Sequence, residues 1–222
     1  MISIIHPTRR PEEAYKTMIA WLSKADEPNN LQYIFSLDAG DTRTEHFLTL
    51  PQTDGYNVFI SDSKNAIQAI NNAAENCTGD ILLVTSDDFD CPDHWDTLLL
   101  QALEGKSDFC AKTKDGLQPT LITLPIMDRI YYERYGYVYH PDFEHLHSDE
   151  ELTCVALMTG KYLKLDILFP HNHYTTGKFK KDALSVKNDN TWSQGAATLE
   201  RHAKNNFGIE NPAMERKDIK WR

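Results

Sequence analysis

The chain has 222 residues, 41% of them hydrophobic and 25% charged, and its 33 acidic against 23 basic side chains leave a formal net charge of −10. This is the composition of a globular protein able to bury one sizeable core, and the acidic balance argues against a broad footprint for DNA or RNA. No run approaches the roughly 18 apolar residues of a membrane span, and MISIIHPTRR lacks the order of a secretory leader, so a cytoplasmic protein is expected.

In chain order, Ile2-Ser3-Ile4-Ile5 is a short β-branched run closed by His6-Pro7 and reads as a buried strand. Residues 11–25 place Ala14, Met18, Trp21, Leu22 and Ala25 on one helical stripe, with Pro11 suited to the first turn. Leu31 to Leu37 is a second strand, stopped by Asp38-Ala39-Gly40-Asp41, and Tyr56 to Ile60 a third. A helix from about Asn65 to Asn76, closed by Thr78-Gly79, leads into a fully apolar fourth strand, Ile81 to Thr85. A further helix follows around Trp95 to Leu103, with Trp95 packed on the sheet. Apolar strands alternating with amphipathic helices predict an α/β fold with a mostly parallel central sheet flanked by helices. Ligands of such sheets sit beyond the carboxyl ends of the strands. The polar residues to watch are thus Pro7-Thr8-Arg9, Asp38 with Asp41, Ser61 to Asn65, and Ser86 to Asp90. The second half has shorter strands, most of the histidines, and Tyr131, Tyr135 and Tyr139 at roughly helical spacing, which suits core packing. Cys77, Cys91, Cys110 and Cys154 form no C-x-x-C pair and are expected as reduced thiols.

From Asp80 to Asp96 there are six aspartates and no lysine or arginine, three of them (Asp87, Asp88, Asp90) directly after the fourth strand. Clustered carboxylates raise one another's pKa unless a cation neutralises them, and oxygen ligands at a strand end suit Mg²⁺ or Mn²⁺ bridging to a phosphate. The competing reading is a solvated loop with helix-capping aspartates such as Asp93.

The stretch from Ser63-Lys64-Asn65-Ala66 through Thr78-Gly79-Asp80, the apolar strand, Thr85-Ser86-Asp87-Asp88-Phe89-Asp90 and Pro92 resembles the core of family 2 glycosyltransferases with the GT-A fold. The likeness covers about residues 1–160, and the order of elements carries it more than any one motif. The family's D-x-D is irregular here, so the metal ligand is Asp88 by first choice, with Asp87 and Asp90 as alternatives. The resemblance implies a nucleotide-diphosphate sugar donor, UDP- or GDP-linked, and Mn²⁺ or Mg²⁺ as cofactor. By position Pro7 and Thr8 would line the base and ribose pocket, Arg9 would reach base or diphosphate, and Asp38 would accept from base or ribose. Asp87 counts with these nucleotide-side residues. Lys64 either pairs with a phosphate or is a solvated surface lysine. Arg10, beside a proline, is expected to be exposed, and His6 to lie at a strand end near the nucleotide.

An inverting enzyme of this kind needs a carboxylate near the acceptor to take a proton from the attacking hydroxyl. Ser148-Asp149-Glu150-Glu151 has the form of the family's acidic pair, which implies Asp149 as base and Glu150 as the fallback; the same residues also read as a plain capping box. His171-Asn172-His173 follows the strand-like Ile167-Leu168-Phe169-Pro170, so the two histidines share a face and could share a metal; the resemblance implies that one of them, His171 or His173, would complete the Asp88 metal site. His140 and His145 suit packing or hydrogen bonding in the aromatic region, whereas Trp192 and Trp221, with polar neighbours, suit contact with a sugar or a partner. The expected organisation is one GT-A domain over 1–205, with a donor half to about 105 and an acceptor side beyond it. A basic tail over 206–222 would cover the diphosphate, touch an anionic surface, or stay disordered. The acceptor is left open among glycan, lipid-linked sugar, protein and modified nucleic acid. A sugar nucleotidyltransferase is disfavoured because Pro7-Thr8-Arg9-Arg10-Pro11 has no glycine-rich loop. A non-catalytic binding protein on a transferase scaffold is the other alternative.

Overall fold

The computed structural model describes residues 1–51 and 56–221. Strands β1 (Ile2–Pro7), β2 (Leu31–Asp38), β3 (Tyr56–Ser61), β4 (Ile81–Val84), β5 (Cys110–Lys114), β6 (Ile126–Asp128) and β7 (Tyr162–Leu168) form one sheet in the order β3-β2-β1-β4-β6-β5-β7. Every neighbouring pair is parallel except those of β6, which runs antiparallel to β4 and β5. The mostly parallel sheet expected from the sequence is therefore present, with one reversed strand.

Strand side chains alternate between two apolar layers, as the pleat requires. Ile2, Ile4, Phe35, Ile81 and Leu83 enter one layer, and Ile5, Ile34, Leu82 and Val84 the other. Helices α1 (Pro11–Ser23) and α4 (Trp95–Leu103) cover the first layer. There Trp21 and Trp95 meet edge-on at 5.1 Å, and the Trp95 indole donates to the Trp21 carbonyl at 2.9 Å. Helices α3 (Ala66–Ala74), α5 (Arg129–Tyr135) and α6 (Ser148–Met158) cover the second layer. The turn before β4 shows why glycine stands in Thr78-Gly79-Asp80. A Cβ there would lie 2.7 Å from both the amide nitrogen and the hydroxyl of Ser3, to which Gly79 donates its own N–H at 2.8 Å. Its small size lets β1 and β4 align so that both end at one edge.

Three local expectations change. Helix α5 stops at Gly136 in the left-handed conformation, so Tyr131 and Tyr135 share a helix while Tyr139 lies beyond it, still buried. The capping box of Ser148 and Glu151 does not form: the cap is His147 at φ 69°, Ser148 donates to the His145 carbonyl at 2.7 Å, and Glu151 turns to His202. Residues 206–221 are folded, not trailing. Ile219 and Trp221 pack on Cys154 and Met158 of α6, the Ala213 N–H bonds to the Met158 carbonyl at 2.6 Å, and Arg216 pairs with Glu200 at 3.0 Å. None of these residues lines the cavity described below. Arg222 lies outside the described residues. The four cysteines are free and buried, and among the described residues no helix is long and apolar enough to cross a membrane.

Candidate functional site

A cavity of about 590 Å³ opens at the carboxyl ends of β1, β2 and β4. Its walls bring together Pro7, Thr8, Arg9, Asp38, Lys64, Asp87, Asp88, Asp149, His171 and His173, ten of the twelve positions singled out in the sequence. Asp90 and Glu150 are the two that stay outside.

The three aspartates after β4 have separate duties. Asp87 is almost wholly buried, with 4% of its side chain exposed. It accepts from the Thr8 hydroxyl at 2.8 Å and from Arg10 Nη1 at 3.1 Å, and it faces His6 Nε2 at 3.0 Å. Because a carboxylate only accepts, His6 donates from Nε2, while its Nδ1 is hydrogen-bonded to the Tyr33 hydroxyl at 2.7 Å. His6 and Asp87 thus form a polar post joining β1, β2 and β4 beneath the cavity floor. Asp90 points elsewhere, pairing with Lys24 at 2.7 Å and with the Cys91 N–H. Asp88 remains, held by the Ser86 hydroxyl at 2.6 Å, with its second oxygen 3.2 Å from His171 Nε2. Burial alone would raise the Asp88 carboxyl; the facing His171 and the Ser86 hydrogen bond outweigh it and hold it at about 2.

His171 belongs to no strand. β7 ends at Leu168, and His171 is placed by a single bridge to Phe89, on whose ring it stacks at 4.2 Å. The His173 ring lies 5.1 Å from it. A metal ion about 2.1 Å from each of two ligand atoms at right angles needs them roughly 3 Å apart. The Asp88–His171 separation of 3.2 Å meets that geometry; the carboxylate suits Mn²⁺ or Mg²⁺, and the softer imidazole donor favours Mn²⁺ of the two. These residues fit a divalent ion.

At the carboxyl end of β2, on the cavity wall, Asp38 accepts from Arg9 Nε at 2.5 Å. Lys64 lies at the wall ahead of α3, which Asn65 caps by accepting from the Gln68 N–H at 2.9 Å. Among the described residues the Lys64 ammonium has no ion-pair partner.

Across the cavity, Asp149 sits in the first turn of α6. A helix start and the Glu150 N–H, 2.9 Å away, both favour its ionised form. Burial is the larger effect, and with the charge of Glu150 it pushes the carboxyl up to about 6. Glu150 itself turns away to His147 at 3.1 Å and Arg216 at 3.7 Å. His145 was expected to pack or hydrogen-bond in the aromatic region, yet it lines the cavity, and burial lowers its pKa against the pull of Asp189 and Asp88.

Arg10 is the main correction. Far from being exposed, it donates from Nε and Nη2 to Asp182 at 2.7 and 2.9 Å, reaches Asp87, and lies over the Phe179 ring at 5.2 Å. Asp182 in turn caps α7 (Ala183–Asp189), so this clasp draws the segment before α8 (Trp192–Ala203) over the cavity. Phe179, Leu184 and Asn188 become cavity walls by this route. The only sequence signal was Asp182 ahead of a short helix.

No protein-family model and no curated protein sequence matches the chain. Solved structures do. TarS 1–349 of S. aureus aligns with a TM-score of 0.60 at 13% identity, over 77% of this chain and 60% of that one. The mannosyltransferase PcManGT of Pyrobaculum calidifontis, in complex with GDP-Man and Mn²⁺, gives 0.58 at 13% identity over 91% and 75%. Glucosyl-3-phosphoglycerate synthase of Mycobacterium tuberculosis, with Mn²⁺, UDP and phosphoglyceric acid, gives 0.61 at 12% identity over 90% and 77%. The chain therefore spans less than two thirds of the TarS fragment. It has the fold of the nucleotide-diphospho-sugar transferases, GT-A.

Proposed function

With the GT-A fold as premise, we propose that the chain is a metal-dependent, inverting glycosyltransferase that moves a sugar from a UDP- or GDP-linked donor to an acceptor hydroxyl. One observation carries this: a single cavity holds the Asp88–His171 pair, spaced for a divalent ion, and opposite it Asp149, a carboxylate with its pKa raised to about 6. Structural neighbours solved with UDP, UDP-GlcNAc or GDP-Man support the donor class.

Pro7, Arg9 and Asp38 would hold the nucleoside at the ends of β1 and β2, and Lys64 would meet a phosphate. Asp88 and His171, with His173 nearby, would hold Mn²⁺ or Mg²⁺, which when bound supplies positive charge against the leaving diphosphate. Asp149 takes the acceptor hydroxyl proton. The freed oxygen forms a bond to the anomeric carbon as that carbon's bond to the diphosphate oxygen breaks, and the configuration inverts. A carboxyl near pKa 6 is mostly ionised at neutral pH and remains a stronger base than an exposed aspartate.

Asp149→Asn should lower transfer about 10²–10⁴-fold, the usual contribution of a general base, while nucleotide binding persists. Asp88→Asn should lose transfer together with metal-dependent nucleotide binding. Wild-type turnover in both variants would refute the assignment.

A further inference from the structure

We infer that the α7–α8 turn carries a saccharide subsite, with Trp192 as its platform, so that the acceptor is a glycan contacting the protein beyond the reacting sugar. This rests on the transferase reading and names its acceptor class.

Trp192 is 60% exposed, the highest value among the exposed large apolar side chains. It is nonetheless held in place: His147 packs against it at 4.5 Å with the planes inclined by 64°, and Glu150 fixes His147 at 3.1 Å. An indole offers a flat face with negative quadrupole potential, which suits the weakly positive C–H face of a pyranose. Amides flank it in sequence. Asn188, Asn190 and Gln194 all line the cavity rim. Among the described residues the Asn188 and Asn190 side chains make no hydrogen bond, and Gln194 spends only one N–H, on the Asp142 carbonyl at 3.2 Å. An amide offers a donor and an acceptor side by side, which matches neighbouring sugar hydroxyls. Unpaired amides beside an exposed aromatic form a surface for a neutral polyhydroxylated ligand.

The turn is also fixed relative to the proposed base. A Cβ on Gly195 would lie 2.2 Å from the Leu146 carbonyl oxygen, so α8 begins in backbone contact with the loop leading to α6. The Thr191 hydroxyl accepts from the Leu146 N–H at 3.2 Å in the same contact. Trp192 and Asp149 therefore sit on one rigid unit. A glycan lying on Trp192 can extend into the cavity towards Asp149 along the wall formed by Thr191 and Gln194.

The test uses the full chain, fluorescently labelled, on an array of immobilised neutral and charged oligosaccharides with Mn²⁺ and UDP or GDP present. Calorimetric titration of the same nucleotides runs in parallel. The expected result is retention on one or more oligosaccharides that falls at least tenfold in Trp192→Ala, recovers in part in Trp192→Phe, and leaves nucleotide affinity unchanged. Undiminished glycan binding by Trp192→Ala, or a wild type that binds nucleotide and retains no oligosaccharide, would overturn the subsite. A wild type that binds glycan through Trp192 but no nucleotide would keep the subsite and overturn the transferase reading.

Discussion

Asp149 is where chemistry and stability pull apart. Its carboxyl is held near 6, above the ordinary aspartate value, because burial disfavours the charge. In the proposed base role Asp149 must be ionised to accept a proton, so kcat should fall on the acid side with a limb near pH 6. A limb at pH 4 or below would remove Asp149 from the base role. The linkage has the opposite sign for folding. With the folded pKa above the unfolded one, the ionised form is a penalty present above about pH 6, and it disappears as pH falls towards 4. Asp149→Asn should therefore stabilise the chain at pH 8, by up to about 3 kcal/mol, with a gain that shrinks by pH 5 in urea titrations. Sequence reasoning singled out Asp88 and His171 from polar strings after apolar runs, and Asp149 from its likeness to the family's acidic pair, and all three line one cavity. It did not separate Asp87 from Asp88 and Asp90, since the direction of each side chain after β4 is set by partners far away in sequence: Thr8, His6 and Arg10 for one, Lys24 for another. Arg10 was misread for the same reason, its main partner Asp182 lying 172 positions on.

Between elements, close backbone contacts and one clasp set the shape of the cavity. Gly79→Ala would press a methyl against the Ser3 backbone, where rearrangement is costly. It should destabilise by roughly 1–3 kcal/mol, seen as a lower urea midpoint at constant m; an unchanged midpoint would show that β1 and β4 can separate freely. Arg10 ties the strand ends to α7, pairing with Asp182 and also donating from Nη2 to the Ser185 hydroxyl at 3.2 Å. Arg10→Met should raise amide exchange across 172–190 while leaving β1, β2 and β4 protected, and wild-type protection there would mean that the clasp is dispensable. The N-terminal strands and helices were legible because each is an uninterrupted apolar run with its own stop signal. The α6 start was less so: a capping-box pattern is compatible with several caps, and the structure uses His147.

For the whole molecule, the sequence indicated a mostly parallel sheet, and the alternation of Ile2, Ile4 and Ile5 between two layers follows from the strand period alone. The reversal of β6 was not readable. It is three residues long and depends on pairing with β4 and β5, not on any local pattern. The net charge of −10 likewise conceals local contrast, because Arg9, Arg10 and Lys64 stand at the cavity beside Asp38, Asp87 and Asp88. An anionic diphosphate is therefore best accepted when a divalent ion offsets those carboxylates. The most direct test is calorimetric titration of the full chain with UDP and with GDP, first with Mn²⁺ and then with EDTA. The account predicts binding of one nucleotide in the presence of metal, lost in EDTA and in Asp88→Asn; binding that is indifferent to metal and to Asp88, or none of either nucleotide, would contradict it.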